Sequence, residues 1–283
     1  VNKRVAIITG ADGGMGYEET KAIAHEGYTT LMACYDPDAA EEKRSKIAEE
    51  TGNDDVHILS LNLADLGAVK AFSDKIKQQY THIDLLMNNA GTMEQRLHET
   101  VDGLERTVSV NYVGPFLLTR LLLPLMGRGS RIVNMVSSSI CIGKLELPYF
   151  FQRGRKGGFW RIPVYANTKL ALLLFTLELA KRVEKDGITV NAADPGNTNT
   201  EIIRFHTCFD KLTDLFFRPF IHTPREGAET AIQLLLAPEK EGLTGTLNKD
   251  NHIVPLGRRY IHHPLRQVLW DETEQIVQTF LNP

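Results

Sequence analysis

Tyr165 and Lys169 lie four residues apart in YANTK, just after Pro163, a residue suited to opening a helix. That spacing places both side chains on one helical face. A free tyrosine has a pKa of about 10 and is a poor base near neutral pH. An ammonium held beside it favours the phenolate, lowers that pKa and makes proton transfer feasible. The pair alone is also a common accident of exposed helices, so the chemistry needs further groups. Metal chemistry is not expected to supply them, because the nine histidines show neither HExxH nor any paired ligand spacing.

A second group lies near the start of the chain. TGADGGMG, Thr9 to Gly16, follows a β-branched run and precedes a helix-like one. A strand turning directly into a helix uses glycines for the tight turn and for close backbone approach. The N–H groups at the helix start can then hold a pyrophosphate. Thr9, Gly10, Gly13, Gly14, Met15 and Gly16 are therefore candidates to bind a dinucleotide. The double glycine fits both TGxxxGxG and TGxxGxxG, so the turn alone does not choose between dinucleotide families. At the end of the second strand an acid would meet the ribose 2′-OH of NAD, whereas a base would meet the NADP phosphate. The chain has Tyr35 and Asp36 there, and no Lys or Arg in the glycine turn. Asp36 therefore favours NAD over NADP, unless it only caps the DPDAAEE helix that follows.

Short apolar runs bounded by Gly, Asp or Asn would position these groups. Val5 to Thr9, Thr29 to Cys34, Val56 to Leu61, Ile83 to Met87, Ile132 to Val136 and Thr189 to Ala193 read as buried strands. Helices are expected at about 14–26, 39–50, 65–80, 99–126 and 163–185, with further helical spacing from Pro264 to Phe280. This alternation predicts an α/β fold: a single doubly wound parallel sheet, Rossmann-like, with helices on both faces. No repeat or linker interrupts it, so residues 1–283 are expected to form one domain. Two stretches break the rhythm, about 145–162 and 200–224. They hold eight of the twelve phenylalanines: Phe150, Phe151, Phe159, Phe205, Phe209, Phe216, Phe217 and Phe220. Either these rings form a satellite core or they line an apolar ligand pocket. The basic run Arg153, Arg155, Lys156 and Arg161 is either a substrate-anion contact or a solvated loop face, and the second reading is favoured.

Composition narrows the classes. Thirty-two basic against thirty-five acidic residues give a net charge of −3, which argues against a nucleic-acid partner. Cys34, Cys141 and Cys208 form neither a zinc pattern nor a disulfide framework, which suits a reducing compartment. No apolar run is long enough to span a bilayer and no signal-peptide pattern opens the chain. A cytoplasmic protein without a membrane partner is the expectation.

In order along the chain stand the glycine turn, NNAG (Asn88 to Gly91), Asn111 in VNYVGPF, the serines after RIVN, YANTK, and DPG (Asp194 to Gly196). This array resembles the short-chain dehydrogenase/reductase family over about residues 3 to 250, and its details look most like the retinol-dehydrogenase-like branch. The resemblance implies catalytic roles for Tyr165 as acid/base, Lys169 as its modulator and ribose ligand, and Asn111 at a helix break holding a water. Ser137 would orient the reacting oxygen, although a one-residue bulge would shift that role to Ser138. It implies cofactor contacts from the glycine turn, Tyr35, Asp36, Asn62, Leu63, Asn89, Ala90, Gly91, Tyr165, Lys169, Pro195, Gly196 and Thr198. Tyr35 stands where NADP-preferring members often carry arginine, and Asn62 where an aspartate is common.

The implied function is hydride transfer between NAD or NADP and a carbonyl or alcohol of a small, lipophilic molecule. A non-catalytic NAD(P) sensor or scaffold, and a nicotinamide-dependent epimerase or dehydratase, are the alternatives on the same fold. Similar proteins pair through the helices after the fourth and fifth strands, so a homo-oligomer, dimer or tetramer, is expected.

Overall fold

The computed structural model describes residues 3–196 and 223–281. Thr198, Cys208 and all of the stretch 200–224 except Thr223 and Pro224 lie outside the described residues.

Eight strands form one sheet in the order β3-β2-β1-β4-β5-β6-β7-β8. β1 (Val5–Thr9), β2 (Thr29–Cys34), β3 (Val56–Ser60), β4 (Leu85–Asn88), β5 (Arg131–Met135), β6 (Thr189–Asp194) and β7 (Leu247–Lys249) run parallel, and β8 (His252–Val254) closes the edge antiparallel. β1, β2 and β4 are buried along their full length, as their unbroken apolar runs require of a sheet covered on both faces. From β1 the chain winds outward to β2 and β3, then crosses back to β4. The carboxyl ends of β1 and β4 therefore flank the switch point, where open α/β sheets bind ligands.

One face is covered by α1 (Gly14–His25), α2 (Pro37–Thr51) and α8 (Pro224–Leu236). The other carries α3 (Leu66–Gln79), α5 (Gly114–Leu122), α7 (Arg161–Arg182) and α10 (Arg266–Leu281). Local signals set their ends. Asp36 caps α2 by accepting from Asp38 N and Ala39 N, and Gly52 ends it at φ 66°. Thr223 and Glu226 form a reciprocal capping box at the start of α8. Against the expectation that no apolar run is long enough to span a bilayer, the helical runs Arg106–Leu125 and Arg161–Arg182 are, although both lie mostly buried in this core.

Two expectations need correction, and two strands stand where none was expected. The helix expected over 99–126 begins only at α4 (Arg106–Val108), because Gly103 turns the chain at φ 74° and Glu99 bridges to Glu105. It then widens into a π turn at Ser109–Val113 before α5. The stretch 145–162 contains a regular helix, α6 (Leu147–Arg153), ended by left-handed Gly154. β7 and β8 are too short to show a period, and Asp250 and Asn251, both at positive φ, turn the hairpin between them. A short helix, α9 (Arg258–Ile261), then leads to α10.

Candidate active site

The glycine turn leaves β1 at Thr9 and enters α1 at Gly14. Gly10 takes φ +62°, and a Cβ on Gly16 would lie 2.1 Å from Gly10 O and 2.8 Å from Asn89 Nδ2. Only glycine fits position 16 at that approach. Gly13 is the N-cap and caps with no side chain, and the first turn of α1 holds no acid. The helix therefore presents uncapped N–H groups and the positive end of its dipole, which suits a pyrophosphate. Met15 is buried beneath this turn. Thr9 Oγ1 accepts from Asn89 N and Ala90 N, both at 3.0 Å, while Asn89 Nδ2 donates to Thr9 O and Gly10 O. The ends of β1 and β4 are thus tied into one cradle. The residues present fit a dinucleotide.

At the adenine-ribose end, Tyr35 is 66% exposed and Asp36 spends Oδ1 on the two N–H groups it caps. Capping thus accounts for part of the Asp36 signal. Asn62 Oδ1 accepts from Ala64 N, and buried Leu63 gives its carbonyl to Ser109 Oγ, so both brace the loop after β3. A basic group does reach the glycine turn: Lys43 of α2 donates its ammonium to Asp12 O. Sequence reasoning missed it because it stands two helical turns past Asp36. Its signal is the helix period counted from the Asp36 cap.

The catalytic candidates meet at the carboxyl ends of β4, β5 and β6. Ser137 follows β5; its hydroxyl accepts from Ser139 N and lies near enough to the Tyr165 phenol to favour the phenolate. Ser138 Oγ donates instead to Asp194 Oδ2 at 2.5 Å, and Ser139 Oγ is buried without a partner. Lys169 Nζ lies 5.6 Å from the Tyr165 ring centre and donates to Met135 O at 2.7 Å. A methyl group on Gly91 would lie 3.5 Å from that ammonium and 3.4 Å from Asn111 Oδ1.

Asn111 sits in the π turn, with Oδ1 accepting from Thr92 N and Nδ2 donating to Thr92 O and Thr168 Oγ1. Thr168 Oγ1 in turn donates to Tyr165 O. The widened turn thus clamps the segment after NNAG to the helix of Tyr165 and Lys169. Asn88, by contrast, belongs to an interior amide network with Thr119 and Asn134.

Electrostatics depart from the simple picture of a lysine lowering a tyrosine. Burial pushes the Tyr165 phenol up to about 12, with Ser137 opposing and Asp194 reinforcing the rise. Burial brings Lys169 down to about 8, and Asp194 opposes that shift. In a desolvated site both charged forms are penalised, which outweighs the pairwise attraction. Asp194, in the sequence only a part of DPG, acts on both groups, accepts from Ser138 Oγ and accepts from Gly196 N. Pro195 and Gly196, the latter at φ +68°, follow it at the edge of the site. No cluster of three metal-ligating side chains occurs among the described residues.

A family model described as short chain dehydrogenase matches residues 4–149 and 152–207. Retinol dehydrogenase 11 of Mus musculus is 36% identical over 271 residues, covering 95% of this chain and 84% of that protein. Polyprenol dehydrogenase of Mus musculus is 36% identical over 279 residues, with 95% and 82% covered. The crystal structure of an uncharacterized Mycobacterium Paratuberculosis protein superposes with a TM-score of 0.76 at 28% identity, covering 97% of this chain and 93% of that one. With the motifs assembled around one cradle, the chain belongs to the short-chain dehydrogenase/reductase family, in its retinol-dehydrogenase-like branch, and is an NAD(P)-dependent enzyme.

Proposed function

We propose that this enzyme interconverts lipophilic alcohols and their aldehydes or ketones, with NAD as the favoured cofactor. The observation that carries the reading is the meeting of Ser137, Tyr165 and Lys169 beside the glycine cradle. The names of the retinol and polyprenol dehydrogenases support a long apolar alcohol as substrate.

When bound, the nicotinamide cofactor accepts or supplies the hydride. Thr9, Gly10, Gly13, Gly14, Met15, Gly16, Asn89, Ala90 and Gly91 hold the dinucleotide, and Lys169 holds its nicotinamide ribose. In the oxidising direction Tyr165 would take the hydroxyl proton as the phenolate, once its own proton has passed to solvent. In reduction Tyr165 returns the proton to the carbonyl oxygen. Ser137, beside the phenol, holds the substrate oxygen in line. Ser138 is committed to Asp194, which favours Ser137 for this role. Lys169 supplies positive charge beside the phenol. Asn111 braces the wall through Thr92 and Thr168, so its contribution is one of position.

NAD is favoured because Asp36 at the end of β2 and Asp12 beside Cys34 put two carboxylates there, against Lys43 among the described residues. Fluorescence titration is expected to show NADH binding more tightly than NADPH. Turnover of isoprenoid aldehydes should then be measured for the wild type and Tyr165→Phe. The variant should lose at least about a hundredfold in kcat while its NADH affinity stays within about twofold. Unchanged turnover would remove Tyr165 from the mechanism.

A further inference from the structure

We propose that Asp194 is a positioning residue of the reaction, the buried counter-charge around which Ser137, Tyr165 and Lys169 are held. Lys169 is 3% exposed, and an ammonium taken that far from water needs an anion beside it. Asp194 supplies one. It ends β6 at 4% exposure, and both of its oxygens accept: Oδ2 from Ser138 Oγ at 2.5 Å and Oδ1 from Gly196 N at 3.0 Å. Acceptance at both oxygens is the bonding of an ionised carboxylate.

The strands fix where it stands. Val136 N donates to Ala193 O, and Met135 is the register partner of Ala193. Lys169 Nζ donates to the carbonyl of that same Met135 at 2.7 Å. The ammonium is thus tied to the end of β5 and the carboxylate to the end of β6, at neighbouring register positions. From α7, Tyr165 and Lys169 both feel the carboxylate. From β7, Lys249 holds the register position beside it, and no ion pair joins the two. Residues 136–143 after β5 carry no charged side chain, and their one thiol, Cys141, is exposed.

The same carboxylate tethers the serine loop. With its hydroxyl given to Asp194, Ser138 pins the chain one residue past Ser137, whose hydroxyl stays beside the phenol. The charge has a sign that can be measured. A carboxylate favours the ammonium and disfavours the phenolate, so Asp194 opposes loss of a proton from either group. Whichever of the two protons limits the rate, removing the charge moves that limb to lower pH. Oxidation and reduction share the pair, so their limbs move together.

The role of Asp194 rests on that of Tyr165 as acid/base, which Tyr165→Phe tests by itself. Asp194→Asn keeps the shape and removes the charge. Its profile of kcat/KM against pH should lie about one unit lower in both directions. NADH affinity, measured without substrate, should fall in the wild type as pH rises through about 8, where Lys169 loses its charge. In Asp194→Asn that fall should come about one unit earlier. Asp194→Ser, also uncharged, should give the same two shifts, and Asp194→Glu should return both to the wild-type pH. Ser138→Ala cuts the tether and leaves the charge, so kcat should drop about tenfold with neither limb moved. Limbs unmoved in both uncharged variants, with Tyr165→Phe inactive, overturn the role of Asp194 alone. Equal shifts in Asp194→Glu or Ser138→Ala overturn it as well, because charge would then not be the cause.

Discussion

Glu19 shows what one side chain can cost. It lies on the buried face of α1 with neither carboxylate oxygen partnered, and burial pushes its pKa up to about 8. The folded state therefore holds a proton that the unfolded chain releases above its ordinary value near 4.5. Stability from this group is complete below pH 4.5 and is lost as pH rises through 8. Glu19→Gln keeps the shape without the charge. Urea unfolding should find it more stable than the wild type at pH 8 by roughly 1–3 kcal/mol and nearly equal at pH 5. Equal pH slopes for the two proteins would refute the argument. Lys43 is the other residue to change, because its ammonium reaches the glycine turn. Lys43→Gln should weaken NADPH about tenfold and leave NADH within about twofold, read by cofactor fluorescence.

At the scale of elements, the cradle depends on how closely α1 folds back on the end of β1. Gly16 has no room for a methyl group against Gly10 O. Gly16→Ala must push the turn outward, away from Asn89 and the start of β4. The expected result is NADH binding weakened by at least about tenfold, with roughly 1–3 kcal/mol of stability lost in denaturant titration. The π turn plays a similar part on the other side. One extra residue in the helix at Ser109–Val113 brings Asn111 round to Thr92 and Thr168, where a regular helix would carry it past.

Across the whole molecule, α10 changes what the sheet can do with its neighbours. Trp270 stacks on Phe175 and meets Phe116 edge-on, with Arg182 4.2 Å from its ring centre. Thr273 bonds the Tyr112 hydroxyl, while Arg120 pairs with Glu274 and Arg266 with Glu178. These contacts lie on the π turn, α5 and α7, and the last two are the helices after β4 and β5 through which the resemblance implies pairing. Pairing on that face would have to displace a buried tryptophan and two ion pairs. Sedimentation should therefore find a monomer, or a pair made on another surface. A dimer abolished by charge substitutions on the outward face of α5 would contradict this account.

The strand runs, the glycine turn and the order of the motifs were legible in the sequence because each rests on local chemistry. Apolar runs of strand length need cover on both faces, and a strand entering a helix needs glycine where backbones approach. The spacing of Tyr165 and Lys169 follows from the helix period alone. What lay beyond the sequence depended on contacts between distant segments or on elements too short to show a period. Ser137 parts from Ser138 only because Asp194, fifty-six residues beyond Ser138, takes the second hydroxyl. Lys43 meets Asp12 only once α2 lies beside the glycine turn. Phe150 and Phe151 go into the core and Trp160 to the surface, a split that composition could not make. Likewise Tyr165 rises to about 12 and Lys169 falls to about 8, because desolvation belongs to the assembled site and not to the residues that enter it.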